Sequence, residues 1–328
     1  MHYSTAYYKG EKQMKAVQFD HYGEPDVLQS REVPEPIPGP NDVLVQVKAT
    51  TVNRLDMFQR NGSRPVEKLP FTPGLEASGV VMADSNGFHK GERVMTTHAL
   101  AAKGGGGYAG VIAVPAEDLV RIPDGVSFQQ AVAAGLTSST AWSGLFDIGH
   151  LQPGERVLIW AGASGVGSMA IQLAKDQHCW VATTASNEQK AQELRALGAD
   201  LVIFYRQENV AEAVQKAGGV NLVLELVGST LQDSITACKP DGRVVLVGNL
   251  GGRESTVDTQ TWRLKRVNVL GGGLMHTTVD REREILQKIA DGRINPVIDR
   301  TMPVEQAAEA HRILQSGEPI GKIVLEHS

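Results

Sequence analysis

From Met14 to about residue 125 the apolar residues come in short, β-branched runs that alternate with polar positions and stop at Pro, Gly or Asp. DVLVQVKATTV (42–52), SGVVMA (78–83), GERVMTT (91–97) and GYAGVIAVP (107–115) show it most clearly. Alternation at period two between turn formers predicts antiparallel strands curled into a partly open β-barrel. At Ser127 the texture changes to small residues suited to a helix, FQQAVAAGLTSSTAWSGL. Beyond the Pro153-Gly154 turn, strands are expected at 156–161, 180–185, 201–205, 220–226 and 243–248. Helices are expected from about 166 and over 188–197, 208–217 and 230–238. RVLIWA, NLVLEL and RVVLVG are unbroken apolar runs, as strands must be when helices cover both faces of a parallel sheet. The order is that of a doubly wound fold. After about residue 275, two helices (VDREREILQKIA, EQAAEAHRILQ) and a strand (KIVLE) are expected to return to the first domain, with Gly271, Gly272 and Gly273 as the hinge. The chain therefore divides into an extension (1–13), a barrel domain (14–134 with 275–328) and a parallel-sheet domain (135–274).

Composition narrows the partners. Lys and Arg number 32 against 37 Asp and Glu, a net charge of −5, which gives no electrostatic footprint for nucleic acid or an anionic membrane face. No run nears the length of a membrane helix and no apolar signal core opens the chain, so a cytoplasmic protein is expected. The two cysteines, Cys179 and Cys238, cannot form a disulfide framework and fit a reducing compartment. The 35 glycines follow no strict period and mark turns and close backbone approaches.

One glycine cluster carries chemistry. Gly162-Ala163-Ser164-Gly165-Val166-Gly167 stands between the strand RVLIWA and a helix whose Val166, Met169, Ala170 and Leu173 form an apolar stripe. Such a loop lets a diphosphate approach the backbone, where the N–H groups and dipole of the helix N-terminus bind it. Ser164 occupies the middle position of the usual G-x-G-x-x-G. An NAD site would place a carboxylate at the tip of the second strand. The tip here reads Thr183-Thr184-Ala185-Ser186-Asn187-Glu188-Gln189-Lys190. Ser186 is expected to cap the following helix with Gln189, and Lys190 to reach a phosphate, so NADP is preferred. Glu188 is the opposing feature; its alternative role is to complement the helix dipole. The nine histidines show no H-x-x-x-H spacing and the cysteines no C-x-x-C, so no metal site is expected. Tyr8 and Lys12 form a Y-x-x-x-K pair in the extension that carries no weight there.

From Met14 onward the chain resembles the medium-chain dehydrogenase/reductase superfamily, in particular its zinc-free NADPH:quinone oxidoreductase, zeta-crystallin-like branch. The resemblance rests on MKAVQFDHYGEPDVLQ, VNRLDMFQRNG, PFTPGLEASGVV, GYAGVIAVPAEDLVRIPDGV, GLTSSTAWSGL, WAGASGVGSMAIQLAK, PDGRVVLVGNLGG and GKIVL. It implies a GroES-like catalytic domain made from both chain ends, an inserted Rossmann domain, and a cleft where NADPH meets substrate. Zinc-dependent members carry ligands at the positions of Asn53, Leu75 and Leu136, so all three are missing here. The resemblance implies cofactor contacts at Arg54, Leu55 and Asp56 after Asn53, at Thr140, and along Gly162, Ser164, Gly165, Val166 and Gly167. Lys190 and Tyr205 match a pair that holds the 2′-phosphate, beside Ser186. Val227 and Gly228, then Gly248, Asn249, Leu250 and Gly251, match loops near the nicotinamide and ribose. Gly272, Gly273, Leu274, Met275 and Lys322 would close the site. Phe58 and Arg64 stand where substrate-side tyrosines occur, so no phenol role is carried over. Asn53 and Asp56 have an alternative reading as helix caps, and Gly104 to Gly107 read as an ordinary mobile loop, with a lid over the cleft as the alternative.

These residues lead to an expected reaction: hydride transfer from NADPH to a quinone or an α,β-unsaturated carbonyl. The developing oxyanion would be met by Asn53, Thr140 or the nicotinamide ribose, with the proton supplied by water. Asn53, Asp56 and Thr140 are the candidate catalytic residues. An NADPH-binding redox sensor or structural protein of low turnover is the alternative, and an alcohol dehydrogenase, which needs a base or metal, ranks below both. A homodimer is expected, paired through the sheet edge near VNVLGG.

Overall fold

The structure, a computed structural model, describes residues 12–97, 100, 105–272 and 278–327. The chain forms two compact units. One takes the chain up to Leu136 with His276–Gly292 and Ile298–Ser328, the other Thr137–Met275 with Arg293–Val297. Tyr8, Gly104, Gly273, Leu274 and Met275 fall outside the described residues.

The first unit opens with an antiparallel pair, β1 (Gln13–Gln18) and β2 (Gln29–Pro34). Strand β3 (Asp42–Thr51) is the spine of the main sheet. Its alternation is realised as read: Val43, Val45, Val47 and Ala49 are buried, while Gln46 is exposed. It pairs antiparallel with β4 (Ala77–Val81) and with β6 (Val111–Pro115). Beyond β4 lie β5 (Arg93–Thr96) and β7 (Leu119–Arg121). Helix α1 (Arg54–Arg60) follows β3, and α2 (Phe128–Trp142) begins after β7.

In the second unit six strands run parallel. They are β8 (Arg156–Ile159), β9 (Trp180–Ala185), β10 (Leu201–Phe204), β11 (Val220–Glu225), β12 (Cys238–Leu246) and β13 (Asn268–Gly271). Their order is β10-β9-β8-β11-β12-β13. Between them run α3 (Gly165–Asp176), α4 (Glu188–Ala196), α5 (Val210–Lys216), α6 (Leu231–Ala237) and α7 (Thr259–Lys265). The order reverses between β8 and β11, the switch point where such sheets bind ligands outside the carboxyl ends of their strands. Met169, Ala170 and Leu173 of the α3 stripe are buried and Val166 is half-buried. Strand β12 begins five residues before its expected start. Pro240-Asp241-Gly242 reads as a turn but is absorbed as an irregularity, the register passing from Cys238 opposite Val220 to Arg243 opposite Leu222. Helix α7 lies in TQTWRLK, whose charges hide any apolar stripe, and was not anticipated, whereas the four-residue β13 is the sheet edge expected near VNVLGG.

The chain then returns through α8 (Val279–Ala290), β14 (Ile298–Pro303), α9 (Ala307–Ser316) and β15 (Lys322–Glu326). Strand β15 lies antiparallel to β3, with Val324 opposite Thr51, and parallel to β14. The return to the first sheet was legible; β14 was not, because IDRTMP has no apolar run and is largely exposed. Among the described residues no helix is long and apolar enough to cross a membrane.

A satellite core in the first unit gathers Val17, Phe19, Leu28, Val52, Tyr108, Ala307, Ala310 and Ile323. His311 lies within it, its Nε2 3.1 Å from the Tyr108 hydroxyl. Burial, with a smaller push from Arg60, takes the His311 imidazole from 6.5 down to about 3. A base whose folded value is depressed stabilises the fold above its unfolded value and loses that contribution as pH falls through the folded one. The loss should therefore run from about pH 6.5 to 3 and amount to something on the order of 4 kcal/mol. His311→Gln is expected to flatten this part of the pH–stability curve, measured by urea unfolding between pH 3.5 and 7; an unchanged slope would refute it.

Candidate active site

In the second unit, β8 ends at Ile159 and the backbone turns through Ala161, whose φ is +51°. Ser164 is the N-cap of α3, its side chain accepting a hydrogen bond from the Gly167 N–H at 3.0 Å. The N–H groups of Gly165 and Val166 open the helix with no acceptor among the described residues. They are available to an anion, the arrangement a diphosphate requires. Glycine is forced at both ends of this turn. A Cβ at Gly162 would lie 2.1 Å from Thr183 Oγ1, and one at Gly167 2.3 Å from the Ala161 carbonyl oxygen.

At the tip of β9, the cap of α4 is Asn187, not Ser186: its side chain accepts from the Lys190 N–H at 2.9 Å. Asn187 is the residue next to the helix, and its extended backbone aims its oxygen at the first turn. Ser186 is half-buried and Lys190 largely buried, while the Tyr205 ring is 46% exposed.

The two glycine-containing loops after β11 and β12 are bound to each other through their backbones. The Gly251 N–H donates to the Val227 carbonyl at 2.8 Å, and the Gly248 N–H to that of Glu225 at 3.3 Å. Their organiser is Glu225, which the sequence reading passed over. Its carboxylate is wholly buried at the end of β11. Oε1 accepts from the N–H groups of Val227 (2.7 Å) and Gly228 (2.9 Å) and from the Thr230 hydroxyl (2.9 Å). Oε2 accepts from the hydroxyls of Thr230 (2.8 Å) and Ser234 (2.5 Å). Ser234 in turn accepts from the indole N–H of Trp160, just beyond β8. One side-chain cluster thus joins the ends of β8 and β11 at the switch point. The available signal was a lone carboxylate closing the apolar run NLVLE.

The first unit holds a second buried polar cluster. Asn53 and Asp56 form a capping box on α1. Asp56 is fully buried and accepts from the N–H groups of Asn53 (2.8 Å) and Gly74 (2.9 Å). Burial pushes its carboxyl up to about 7 despite these two donors and the nearby Lys322 ammonium. The Asn53 carboxamide is committed on every side. Its NH2 donates to Thr51 Oγ1 (3.2 Å) and Glu76 Oε1 (3.1 Å), and its oxygen accepts from Lys322 Nζ at 2.6 Å. Glu76, 1% exposed, also accepts from the Thr51 hydroxyl, from Lys322 (3.1 Å) and, through Oε2, from the Leu136 N–H (2.6 Å). Arg54 and Leu55 are half-buried at the start of α1, and burial lowers the Arg54 guanidinium. Thr140 is half-buried on α2 and belongs to the second unit. Lys322, expected at a cofactor, is 5% exposed; its ammonium donates to Val52 O and Asn53 Oδ1 and is ion-paired with Glu76. Sequence reading named Asn53 and Lys322 separately and missed Glu76, the group that joins them.

Residues 39–124 match the alcohol dehydrogenase GroES-like domain, and residues 197–325 the zinc-binding dehydrogenase domain. The quinone oxidoreductase of Sus scrofa is 32% identical over 96% of this chain and 98% of its own length. Among solved structures, an NAD-dependent alcohol dehydrogenase superposes with a TM-score of 0.90 at 31% identity, covering 96% of this chain and all of its own. The Escherichia coli quinone oxidoreductase complexed with NADPH gives 0.86 at 29% identity, covering 95% of this chain and all of its own. With a GroES-like unit on a β3-centred sheet, a Rossmann-type unit ordered around β8 and β11, and relatives aligned almost end to end, the chain belongs to the medium-chain dehydrogenase/reductase superfamily, alongside its quinone oxidoreductases.

Proposed function

We propose that this protein is a zinc-independent, NADPH-dependent reductase that passes hydride to a quinone or to the β-carbon of an α,β-unsaturated carbonyl. What carries the reading is the build of the switch point: a diphosphate-ready helix start after β8 and, after β11, a loop fixed by Glu225. When bound, NADPH supplies the hydride from its nicotinamide. The chain's part is then to bind and orient. Gly165 and Val166 offer N–H groups to the diphosphate, and Lys190 with Tyr205 and Ser186 takes the 2′-phosphate. Val227, Gly228 and the loop from Gly248 to Gly251 shape the far end of the site. Both Asn53 amide protons are engaged, so Asn53 serves by organising its cluster; Thr140 and the nicotinamide ribose are the other groups assigned to the developing oxyanion. Asn53, Leu75 and Leu136 offer an amide and two alkyl chains where a zinc ion would need thiolate or imidazole.

NADPH oxidation with a panel of quinones and enones tests the reading; tight NADPH binding without turnover on any of them would sink it in favour of a sensor. Lys190→Glu is expected to weaken NADPH by about 100-fold, near the 3 kcal/mol of a lost charge-assisted contact plus repulsion, and NADH by less than about threefold. Equal losses for the two cofactors would remove Lys190 from the 2′-phosphate.

A further inference from the structure

The buried cluster around Glu76 contains a full positive charge to which the hydride step gives no role. Lys322 Nζ donates to Val52 O at 3.3 Å and to Asn53 Oδ1 at 2.6 Å and lies 3.1 Å from Glu76 Oε1. Glu76 Oε1 takes the Thr51 hydroxyl, the Asn53 amide and the Lys322 ammonium, and Oε2 takes the Leu136 N–H. Both side chains are buried, at 6% and 1% exposure, so the pair is held in a low-dielectric pocket where an unmatched charge costs several kcal/mol. The positions that surround this carboxylate are Asn53, Leu136 and, adjacent in sequence, Leu75, the three at which zinc-dependent members carry their ligands. The zinc-binding description of the matching domain therefore disagrees with this pocket. The missing ligands are only part of that disagreement, because a cation is already resident.

We propose that the Lys322 ammonium occupies the place of a divalent metal: it counter-charges Glu76, locks the Asn53 carboxamide and keeps metal ions out of the pocket. A divalent ion entering while Lys322 stays would bring three positive charges against one carboxylate and strip Asn53 Oδ1 of its donor. With thiolate ligands installed the ammonium still repels the ion, so replacing the ligands alone should give a weaker metal site than replacing them together with Lys322. This inference goes beyond the reductase reading and does not depend on which substrate or nicotinamide cofactor is used.

The test compares Asn53→Cys/Leu75→His/Leu136→Cys with the same triple variant carrying Lys322→Met, titrated with Co²⁺ and followed by its thiolate charge-transfer absorption. The Lys322 protein should bind at least about 100-fold more weakly than the Met protein, a difference of about 2.7 kcal/mol. Equal affinities would overturn the proposal. Should the ligand variants fail to fold, a double-mutant cycle in the otherwise unchanged protein decides. Lys322→Met should lower Tm by roughly 10 °C by leaving Glu76 unmatched, and Lys322→Met/Glu76→Gln should recover most of it. Additive losses would show that Lys322 is not the counter-charge of Glu76.

Discussion

Glu225→Gln should melt about 10 °C below the parent protein and bind NADPH between 10- and 100-fold more weakly, although no atom is removed from the volume of the side chain. All the groups facing this carboxylate donate: two backbone N–H groups and two hydroxyls. A carboxamide keeps one accepting oxygen and turns an NH2 group against those donors. A hydrogen bond to a charged group contributes roughly 1.5–3 kcal/mol, and a buried donor left without a partner costs about 1–3 kcal/mol. Two such losses bring the total to about 4 kcal/mol, which for units of this size is roughly 10 °C. The fall in cofactor affinity separates a positioning role from a purely structural one: the Val227–Gly228 turn must be re-formed before the cofactor can use it. Thermal melts with and without NADPH, together with a binding titration, check both halves. A variant with the parent's Tm and Kd would show that the cluster at the ends of β8 and β11 does not hold the loop.

The second large effect lies on the other side of the same switch point. Gly167→Ala should abolish measurable NADPH binding, weakening it by more than about 100-fold, and should destabilise the protein by about 3 kcal/mol. The added methyl would sit 2.3 Å from the Ala161 carbonyl oxygen and 2.8 Å from the Gly162 Cα, both main-chain atoms that cannot rotate aside. The start of α3 must then move off β8, and the free N–H groups of Gly165 and Val166 move with it. Equilibrium titration with NADPH against parent and variant measures this, with urea unfolding for the stability change. Retained affinity would remove the loop from the diphosphate.

These two sites also show where sequence is informative and where it is not. The glycine loop is readable because its constraints are local: strand, turn and helix follow one another directly, and Gly162 and Gly167 each have a neighbour a side chain must not touch. The alternating Val43, Val45 and Val47 are readable for the same reason, since the period of a strand is written in consecutive positions. Glu225 is only half-readable. A carboxylate ending an apolar strand is conspicuous, but its partner Ser234 lies 9 residues on in another element, and Trp160, which donates to Ser234, is 74 residues from it. The cluster of Asn53, Glu76 and Lys322 is unreadable, because Lys322 meets Asn53 across 269 residues. Lysine in GKIVL is compatible with a solvated strand end or a phosphate contact, and only the pairing of β15 with β3 brings it beside Glu76. Local caps follow the same logic in miniature: Ser186 and Asn187 are equally good capping residues, and one residue of strand length decides between them.

The pairing of β15 with β3 has a further consequence, for biosynthesis. The spine of the first sheet is made early, but the strand that lies along it and the lysine that neutralises its buried glutamate belong to the last residues of the polypeptide. The second unit, by contrast, is almost one continuous stretch from Thr137 to Met275. Emerging vectorially from a ribosome, the chain therefore completes its later-made unit first. The earlier-made unit waits with Glu76 unmatched and the β3 edge open until residues 322–326 have been made. That interval is when a nascent protein of this topology is most exposed to wrong partners and to holding chaperones.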